Sequence, residues 1–564
     1  MVRSNVFIVS LGLAGSLLTP GALATHVLGV DFPSLLDATL DDLRQGLDSG
    51  LFTSVDLTKA YIARINEVAN ELHAVNEVNP DALSIAAAMD AERRKNSAHS
   101  RGPLHGIPVL LKDNMATLDR MNTTAGSFAL VGAQPEEDST VAAKLRKAGV
   151  ILLGKTNMSE WANCRSVNTT HGWSAYGGQT KGAYLRDQDP SGSSSGSAVS
   201  SSIGLAWAAL GTETIGSIIS PANVNNIVGI KPSVGLTSRY MVVPISEHQD
   251  TVGPMARTVK DAAYLLAAIA GVDKNDNYTS AIPFKGNLPD YVAACKEGGL
   301  KGKRFGVPRS WLAPQNETTP ALLQAFEDSL KLLQSEGAVI VDNIKTPGLK
   351  KIRDSFLVVM GADMLTGFST HYLNHLKTNP NNITTLRKMK DFTENSPKEE
   401  WPVRDTLIWQ NALDRGINNT SPQFWGNLTE QLDLAGPLGI LGAIKNNSLD
   451  ALVIPTTFLH PLSAFAGGPV ITVPMGKEPD TSPEDRDQPG GLIATGPNLP
   501  FGLAFAGEPF GEEKLIEIAY AFEQKTKARG TVQPLVKPKT ELRDMVGRQK
   551  NRFWCSSGRR MLHA

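Results

Sequence analysis

The chain carries two turns rich in serine and glycine, Ser191-Gly-Ser-Ser-Ser-Gly-Ser197 and Gly211-Thr-Glu-Thr-Ile-Gly-Ser217-Ile-Ile-Ser-Pro221. Between them, the small residues of 198–210 predict a helix. A serine- and glycine-rich run is most often an ordinary loop, so either turn alone says little about function. The pair places Ser193 and Ser217 24 residues apart, a spacing that becomes informative only beside a third segment.

That third segment is a lysine at the end of an apolar run, in Gly106-Ile-Pro-Val-Leu-Leu-Lys-Asp-Asn114. Residues 109–111 predict a buried strand, and Lys112 follows it directly. A lysine in such a position usually extends its ammonium group to the surface. If the fold buries it instead, its pKa falls from about 10.4 by up to about 3–5 units, and the amine can act as a base at neutral pH.

Helix and strand patterns alternate along the rest of the chain. Residues 141–148 have helical spacing, Gly149 ends them, and 150–153 predict a buried strand; 322–333, Gly337 and 338–341 repeat this order. Further short apolar runs occupy 109–111, 451–454 and 470–473. Short apolar strands separated by helices predict an α/β fold with a largely parallel sheet.

Taken together, the three segments resemble the amidase signature family, and within it the peptide-amidase-like branch. The resemblance covers nearly the whole chain after residue 24, and we expect 25–546 to form a single domain. It implies a large mixed, largely parallel β-sheet with helices on both faces. Its further motifs are Gly154-Lys-Thr-Asn-Met-Ser-Glu-Trp161, Gly172-Trp-Ser, Gly178-Gln-Thr180, Asn226-Ile-Val-Gly-Ile-Lys-Pro232, Gln249-Asp-Thr-Val-Gly-Pro254, Pro469-Val-Ile-Thr-Val-Pro474 and 515–524.

Relatives of this kind are hydrolases that use a Ser–cis-Ser–Lys triad and need neither a metal nor a cofactor. The resemblance implies that Ser217 is the nucleophile, Ser193 the bridging serine on a cis peptide bond, and Lys112 the base. Ser194 matches a supporting serine. A serine between base and nucleophile can relay a proton because one hydroxyl both donates and accepts.

The turn before Ser217 is expected to stabilise the oxyanion of the reaction. Backbone N–H groups of Thr214, Ile215 and Gly216 are the predicted donors. The sequence departs from the family pattern here, because Ile215 stands where relatives usually carry Gly or Asp. Ile219 stands where many carry Arg, and Ser220 where this branch often carries Cys. These changes favour an altered substrate pocket or, less readily, a weakened enzyme.

Two shorter motifs point elsewhere. Residues 149–156 match the G-x-x-x-x-G-K-[ST] phosphate loop, but the motif follows a helix and its middle is apolar and strand-like, which excludes that mechanism. Residues 192–196 match the G-x-S-x-G nucleophile elbow, which would make Ser194 the nucleophile of an α/β-hydrolase. The residues before them are polar and contain Pro190, so this remains a second hypothesis.

The leading hypothesis for function is an amide hydrolase that forms an acyl-Ser217 intermediate. Its substrates would be C-terminal peptide amides or other small carboxamides. The same acyl-enzyme could instead transfer its acyl group to an amine or alcohol. A third hypothesis, motivated by Ile215 and Ile219, is a catalytically weakened binding scaffold. The net charge of −1, from 55 Lys+Arg and 56 Asp+Glu, argues against a nucleic-acid partner.

The two ends of the chain predict its location. A basic start, an apolar run over 6–18 and Ala22-Leu-Ala24 are typical of a secretory signal peptide over 1–24. With ten Asn-x-Ser/Thr sequons, they favour a secreted, extracellular glycoprotein of a fungal-type eukaryote, acting as a monomer or homodimer. No later apolar run is long enough to span a membrane. Residues 547–564 are basic and predict a flexible tail.

Overall fold

The computed structural model of the protein describes residues 25–27, 30–95, 101–312, 318–348, 353–486 and 490–546. The predicted signal peptide over 1–24, the predicted tail over 547–564, the sequon at Asn316 and Cys555 lie outside the described residues. Cys164 and Cys295 are both free thiols. None of the described helices is long and apolar enough to cross a membrane.

Seventeen strands are present in the described residues. They are β1 (Thr25–Val27), β2 (Val30–Phe32), β3 (Val75–Val78), β4 (Pro108–Lys112), β5 (Gln134–Pro135), β6 (Ile151–Thr156), β7 (Trp173–Ser174), β8 (Gly178–Gln179), β9 (Ala208–Glu213), β10 (Val228–Lys231), β11 (Thr251–Ala256), β12 (Arg304–Gly306), β13 (Val339–Val341), β14 (Leu376–Thr378), β15 (Ala451–Pro455), β16 (Val470–Lys477) and β17 (Pro500–Ala506). Eleven of these strands form one sheet, in the order β13-β12-β15-β17-β16-β10-β11-β9-β4-β6-β3.

The described residues also form fifteen α-helices. They are α1 (Leu40–Asp48), α2 (Ser54–Leu72), α3 (Ala82–Arg94), α4 (Thr140–Lys147), α5 (Ser195–Ser202), α6 (Ile219–Val224), α7 (Val259–Ile269), α8 (Pro320–Ser335), α9 (Arg353–Gly367), α10 (Leu386–Asn395), α11 (Leu407–Arg415), α12 (Pro422–Ala435), α13 (Ile440–Asn446), α14 (His460–Ala466) and α15 (Glu512–Thr526). The predicted helix–strand pairs are confirmed, as α4 followed by β6 and α8 followed by β13.

The large mixed sheet of the prediction is confirmed, but its parallel share is smaller than the apolar runs suggest. Parallel pairing occurs in two blocks, β13-β12-β15 and β9-β4-β6. From β15 through β17, β16, β10 and β11 to β9, every pairing is antiparallel, and β3 also pairs antiparallel with β6. These middle strands are as deeply buried as parallel ones, so continuous apolar runs could not reveal their direction.

The sheet is covered on both faces. Every residue of β4, β9, β10, β11, β15 and β17 is buried. Since successive side chains of a strand point to opposite faces, full burial requires packed atoms on each side. Helices supply them: α5 packs on β9, α7 on β11, and α8 and α15 on β16. The site described next lies at one edge of this sheet.

Candidate active site

Parallel pairing brings the predicted lysine and the second serine turn to the same edge of the sheet. Lys112 is the last residue of β4, whose neighbour β9 runs parallel to it, with Leu111 opposite Leu210. Because parallel strands end at one edge, Lys112 lies beside the turn that follows Glu213 and carries Ser217. The first serine turn reaches the same place, since the Ser194 N–H donates to the Ser217 carbonyl at 3.2 Å.

Lys112 is fully buried and surrounded by oxygen atoms. Its Nζ lies 2.8 Å from Ser193 Oγ and 2.9 Å from Ser194 Oγ. The carbonyl and hydroxyl oxygens of Thr212 lie 3.1 and 2.9 Å from the same nitrogen. Burial lowers the pKa of Lys112 to about 7, although the carboxylates of Asp250 and Glu213 oppose the shift. At neutral pH a large share of this amine is therefore an unprotonated base.

The peptide bond between Gly192 and Ser193 is cis. Close packing holds this turn in place: the Ser193 carbonyl accepts the Ser159 N–H at 3.1 Å. A Cβ atom on Gly192 would lie 2.4 Å from Ser159 Oγ, so only glycine fits there without displacing that serine. Glycine at position 192 therefore lets the backbone lie close to Ser159, in addition to forming part of a turn.

Glu213 holds the turn that carries Ser217. Its carboxylate accepts the N–H groups of Gly216 and Ile218, both at 2.8 Å, and of Ile219 at 3.0 Å. Burial raises the pKa of Glu213, and nearby Lys231 acts in the opposite direction. Three N–H groups on one carboxylate fix the backbone on both sides of Ser217, because a buried acceptor left unpaired is costly.

This arrangement changes the set of predicted oxyanion donors. The Gly216 N–H, one of the three predicted, is directed at Glu213 and not at the cavity, because the turn wraps around that buried carboxylate. Thr214, Ile215 and Ser217 line the cavity. Thr214 is held there by its hydroxyl, which donates to Asp250 Oδ1 at 2.6 Å. This leaves Thr214, Ile215 and Ser217, which line the cavity, as the candidate oxyanion donors of this turn.

A cavity of about 460 Å³ opens in front of Ser217, a residue that is 7% exposed. Ser191 and Gly192 form part of its wall, so both serine turns face it. The rest of the wall comes from distant parts of the chain and is mostly apolar, including Leu322, Phe356, Met360, Ile408, Leu499 and Phe501. The cavity is large enough for an acyl group of several heavy atoms.

Ser194 does not occupy the position of an α/β-hydrolase nucleophile. It is fully buried, it precedes α5 without a strand before it, and it is not among the residues that line the cavity. Its hydroxyl donates to the Thr212 carbonyl at 3.1 Å and contacts the Lys112 amine. This position fits the supporting role that the resemblance implies.

Within the described residues, one group of three metal-ligating side chains lies close together, Glu247, His248 and Asp363. His248 Nδ1 lies 2.9 Å from Asp363, which also accepts the Ser246 hydroxyl at 2.5 Å, so this is a hydrogen-bonded pair of ordinary kind. None of the three lines the cavity at Ser217.

Sequence reasoning missed three polar residues of this site: Thr212, Glu213 and Asp250. Glu213 left a signal, since a carboxylate at the end of a buried strand must find donors nearby. Thr212 and Asp250 left none, because only the pairing of β9 with β4 and β11 brings them to Lys112 and Thr214.

Comparisons with known proteins identify the family of this chain. The family model described as Amidase matches residues 56–516, more than half of the chain. A protein of Arthroderma benhamiae named "Putative amidase" is 48% identical over 543 residues, covering 92% of this chain and 90% of its own. The chain therefore belongs to the amidase family, whose members hydrolyse amides.

Solved structures give the same result. The native peptide amidase of Stenotrophomonas maltophilia superposes with a TM-score of 0.78 at 38% identity, covering 90% of this chain and 99% of that one. A peptide amidase complexed with the competitive inhibitor chymostatin gives 0.79 at 38% identity, covering 89% and 99%. This protein has the amidase signature fold and is an amide-hydrolysing enzyme.

Proposed function

We propose that this enzyme is secreted and hydrolyses C-terminal peptide amides or other small carboxamides through an acyl-Ser217 intermediate. One observation carries the catalytic part: the fully buried Lys112 amine lies 2.8 Å from the Ser193 hydroxyl, in a turn that faces the same cavity as Ser217. A lysine pKa of about 7 suits general base catalysis near neutral pH.

In the first half of the reaction, Ser217 Oγ attacks the substrate carbonyl carbon. Its proton passes to Ser193 Oγ while the Ser193 proton passes to the unprotonated Lys112 amine. The carbonyl oxygen becomes negative and accepts hydrogen bonds from the N–H groups of Thr214, Ile215 and Ser217. Each such donor stabilises the transition state by on the order of 3 kcal/mol. When the C–N bond breaks, Lys112 returns a proton through Ser193 to the departing nitrogen, which leaves as ammonia.

Water completes the cycle by the same path. It attacks the acyl ester at Ser217, and its proton reaches Lys112 through Ser193. The C–O bond to Ser217 then breaks, the serine regains a proton, and a carboxylic acid leaves. The alternative of acyl transfer differs only in the second nucleophile, so product analysis with added amines separates the two.

Two features support peptide or small amides as substrates. The cavity in front of Ser217, about 460 Å³ with mostly apolar walls, suits an amino-acid or short peptide acyl group. Two of the similar solved structures are of peptide amidases, one of them in complex with chymostatin.

The proposal of secretion rests on the N-terminal pattern, with support from exposed sequons. The asparagines at 168, 277, 382, 418 and 446 are exposed and could carry glycans, whereas Asn157 is fully buried and could not. We expect secreted protein to begin at Thr25 and to lose mass on deglycosylation. A mature N-terminus at Met1 would contradict the proposal.

The catalytic proposal is tested with a fluorophosphonate probe and a panel of carboxamides. We expect a single adduct on Ser217 by mass spectrometry, ammonia release from primary amides, and loss of both in Ser217→Ala. Ser220→Ala is the matched control, because Ser220 lines the same cavity and should not be labelled. An adduct on Ser194 or Ser220 would overturn the assignment, and so would turnover by Ser217→Ala.

A further inference from the structure

The cavity at Ser217 has an unusual balance of charge. Among the described residues that line it, none is Lys or Arg, whereas two are carboxylates, Asp189 and Glu478. Asp189 has a partner, since its Oδ2 lies 2.9 Å from His171 Nδ1. No described Lys, Arg or His lies within ion-pair distance of Glu478.

Glu478 is 4% exposed and directly follows β16. Its Oε1 accepts the hydroxyl of Thr319, and its Oε2 accepts the hydroxyl of Ser482 at 3.0 Å. A carboxylate has about four acceptor positions, so two hydroxyl donors leave capacity for another. Burying a carboxylate without a cation is costly, and a cationic ligand would offset that cost.

The chemistry of the reaction says which part of a substrate reaches Glu478. When a primary carboxamide is cleaved, the leaving group is ammonia, so everything else that the enzyme can recognise belongs to the acyl part. Ser217 and Glu478 line one cavity, so an acyl part bound at Ser217 extends into the space that Glu478 borders. The apolar walls contact its side chains and leave Glu478 as the partner for a charged group.

We propose that Glu478 is a binding residue for a positively charged group on the acyl part of the substrate. The preferred substrates are then carboxamides that carry a primary ammonium group, such as dipeptide amides with a free N-terminus. This inference rests on the function proposed above and narrows its substrate class. The same charge repels the carboxylate that hydrolysis produces and so favours product release.

The competing explanation is structural. Thr319 is the N-cap residue of α8, so Glu478 also connects the start of that helix to the turn at Ser482. A residue that only holds two segments together would affect neutral and cationic substrates equally. A residue that binds a cation changes their ratio, and it does so through KM.

The test uses two matched substrates, a dipeptide amide with a free α-amino group and its N-acetylated form. For the unmodified enzyme we expect kcat/KM to favour the free amine by about tenfold, mainly through a lower KM, as for a charge-assisted hydrogen bond. In Glu478→Gln, which retains most of the shape, the ratio should fall to about one. Asp480→Asn is the control: it removes a nearby carboxylate that is 80% exposed, and it should leave the ratio unchanged.

A binding measurement separates failure of this inference from failure of the proposed function. Titration calorimetry with Ser217→Ala, which needs no turnover, should show tighter binding of the free amine, and this preference should vanish in Ser217→Ala/Glu478→Gln. Equal binding of the two peptides to Ser217→Ala would overturn the inference even if the enzyme hydrolyses amides. Preferential binding of the free amine without any turnover by the unmodified enzyme would instead uphold the Glu478 site and reject the hydrolytic function. Correct folding of each variant is checked by its Tm.

Discussion

Two lysines lie at the ends of buried strands and differ in what surrounds them. Lys112 ends β4 and Lys231 ends β10, and both are fully buried. Burial lowers the pKa of the first to about 7 and of the second to about 8. The Lys112 amine contacts three hydroxyl groups and a carbonyl, whereas Lys231 donates to two backbone carbonyls, those of Pro232 at 3.0 Å and Gly468 at 2.7 Å.

The comparison separates burial from a proton path, because both lysines are buried and only Lys112 contacts hydroxyl groups. A backbone carbonyl can only accept, so the oxygens around Lys231 can hold its protons but cannot deliver one. A hydroxyl both donates and accepts, so Ser193, which contacts the Lys112 amine, is able to pass a proton along the proposed relay. Lys231 has another use, because its charge faces the buried carboxylates of Glu213 and Glu512.

The largest expected effect comes from exchanging each lysine for an apolar residue of similar length. Lys112→Met should lower kcat by about ten-thousand-fold with little change in the free energy of unfolding. Lys231→Met should do the opposite: a loss of about 2–3 kcal/mol in stability, because two buried carboxylates lose a nearby cation, with kcat of the folded enzyme within tenfold. Steady-state kinetics and urea unfolding of both variants measure this. Similar losses of kcat in the two variants would contradict the difference in role between Lys112 and Lys231.

The next-largest effect is expected from removing the Ser193 hydroxyl, a group that contacts Lys112 and has no counterpart at Lys231. Ser193→Ala leaves Lys112 buried but removes its connection to the cavity, and kcat should fall by about a thousandfold. Ser200→Ala is the control, since Ser200 is a fully buried serine of the following helix α5. A Ser193→Ala enzyme within tenfold of the original kcat would show that the base acts on Ser217 by another path.

Glu213 connects the two regions, because it accepts N–H groups on both sides of Ser217 and lies near Lys231. Glu213→Gln replaces one acceptor oxygen with an N–H₂ group that cannot accept the N–H groups of the turn. We expect a loss of about 2 kcal/mol in transition-state stabilisation, which corresponds to about thirtyfold in kcat. Glu512→Gln, which also lies near Lys231, should change kcat less than threefold. Equal losses of kcat in Glu213→Gln and Glu512→Gln would mean that the charge near Lys231 determines the effect, and not the hydrogen bonds to the turn.

The pH dependence of kcat/KM reports the environment of Lys112. Its pKa is lowered, so the amine is protonated below about pH 7 and unprotonated above it. Activity should therefore rise with pH through about 7, fall about tenfold per unit below that, and level off above. The groups that oppose the shift most strongly are Asp250 and Glu213. A rise in kcat/KM centred near pH 10 would show that Lys112 is solvated, and it would contradict its assignment as the base.

The smallest effect is expected at Ile215, where the sequence departs from its relatives. Ile215 lines the cavity beside Ser217, and its N–H is one of the oxyanion donors proposed above. If only the N–H matters for chemistry, Ile215→Ala should change kcat less than threefold and act mainly on KM. A tenfold fall in kcat, measured on a neutral amide, would show that the side chain helps to position the turn.

Much of the fold was predictable because it depends on local pattern. The helix–turn–strand order around Gly149 and Gly337 appears in the structure as predicted, and the phosphate-loop match at 149–156 is mostly strand β6. Strand direction was less predictable: the central strands pair antiparallel, and deep burial on both faces makes their sequences look like parallel strands.

By itself, the sequence determined the family, the fold class and the candidate triad, since motif order and spacing are carried by the chain. The tertiary structure decided that Lys112 is buried among hydroxyl groups and that the Gly216 N–H donates to the Glu213 carboxylate. It also decided that Glu478 lies in the cavity wall, 261 positions along the chain from Ser217. The physical reason is that burial, proton paths and charge balance depend on contacts between distant segments, which strand pairing creates and local pattern cannot express.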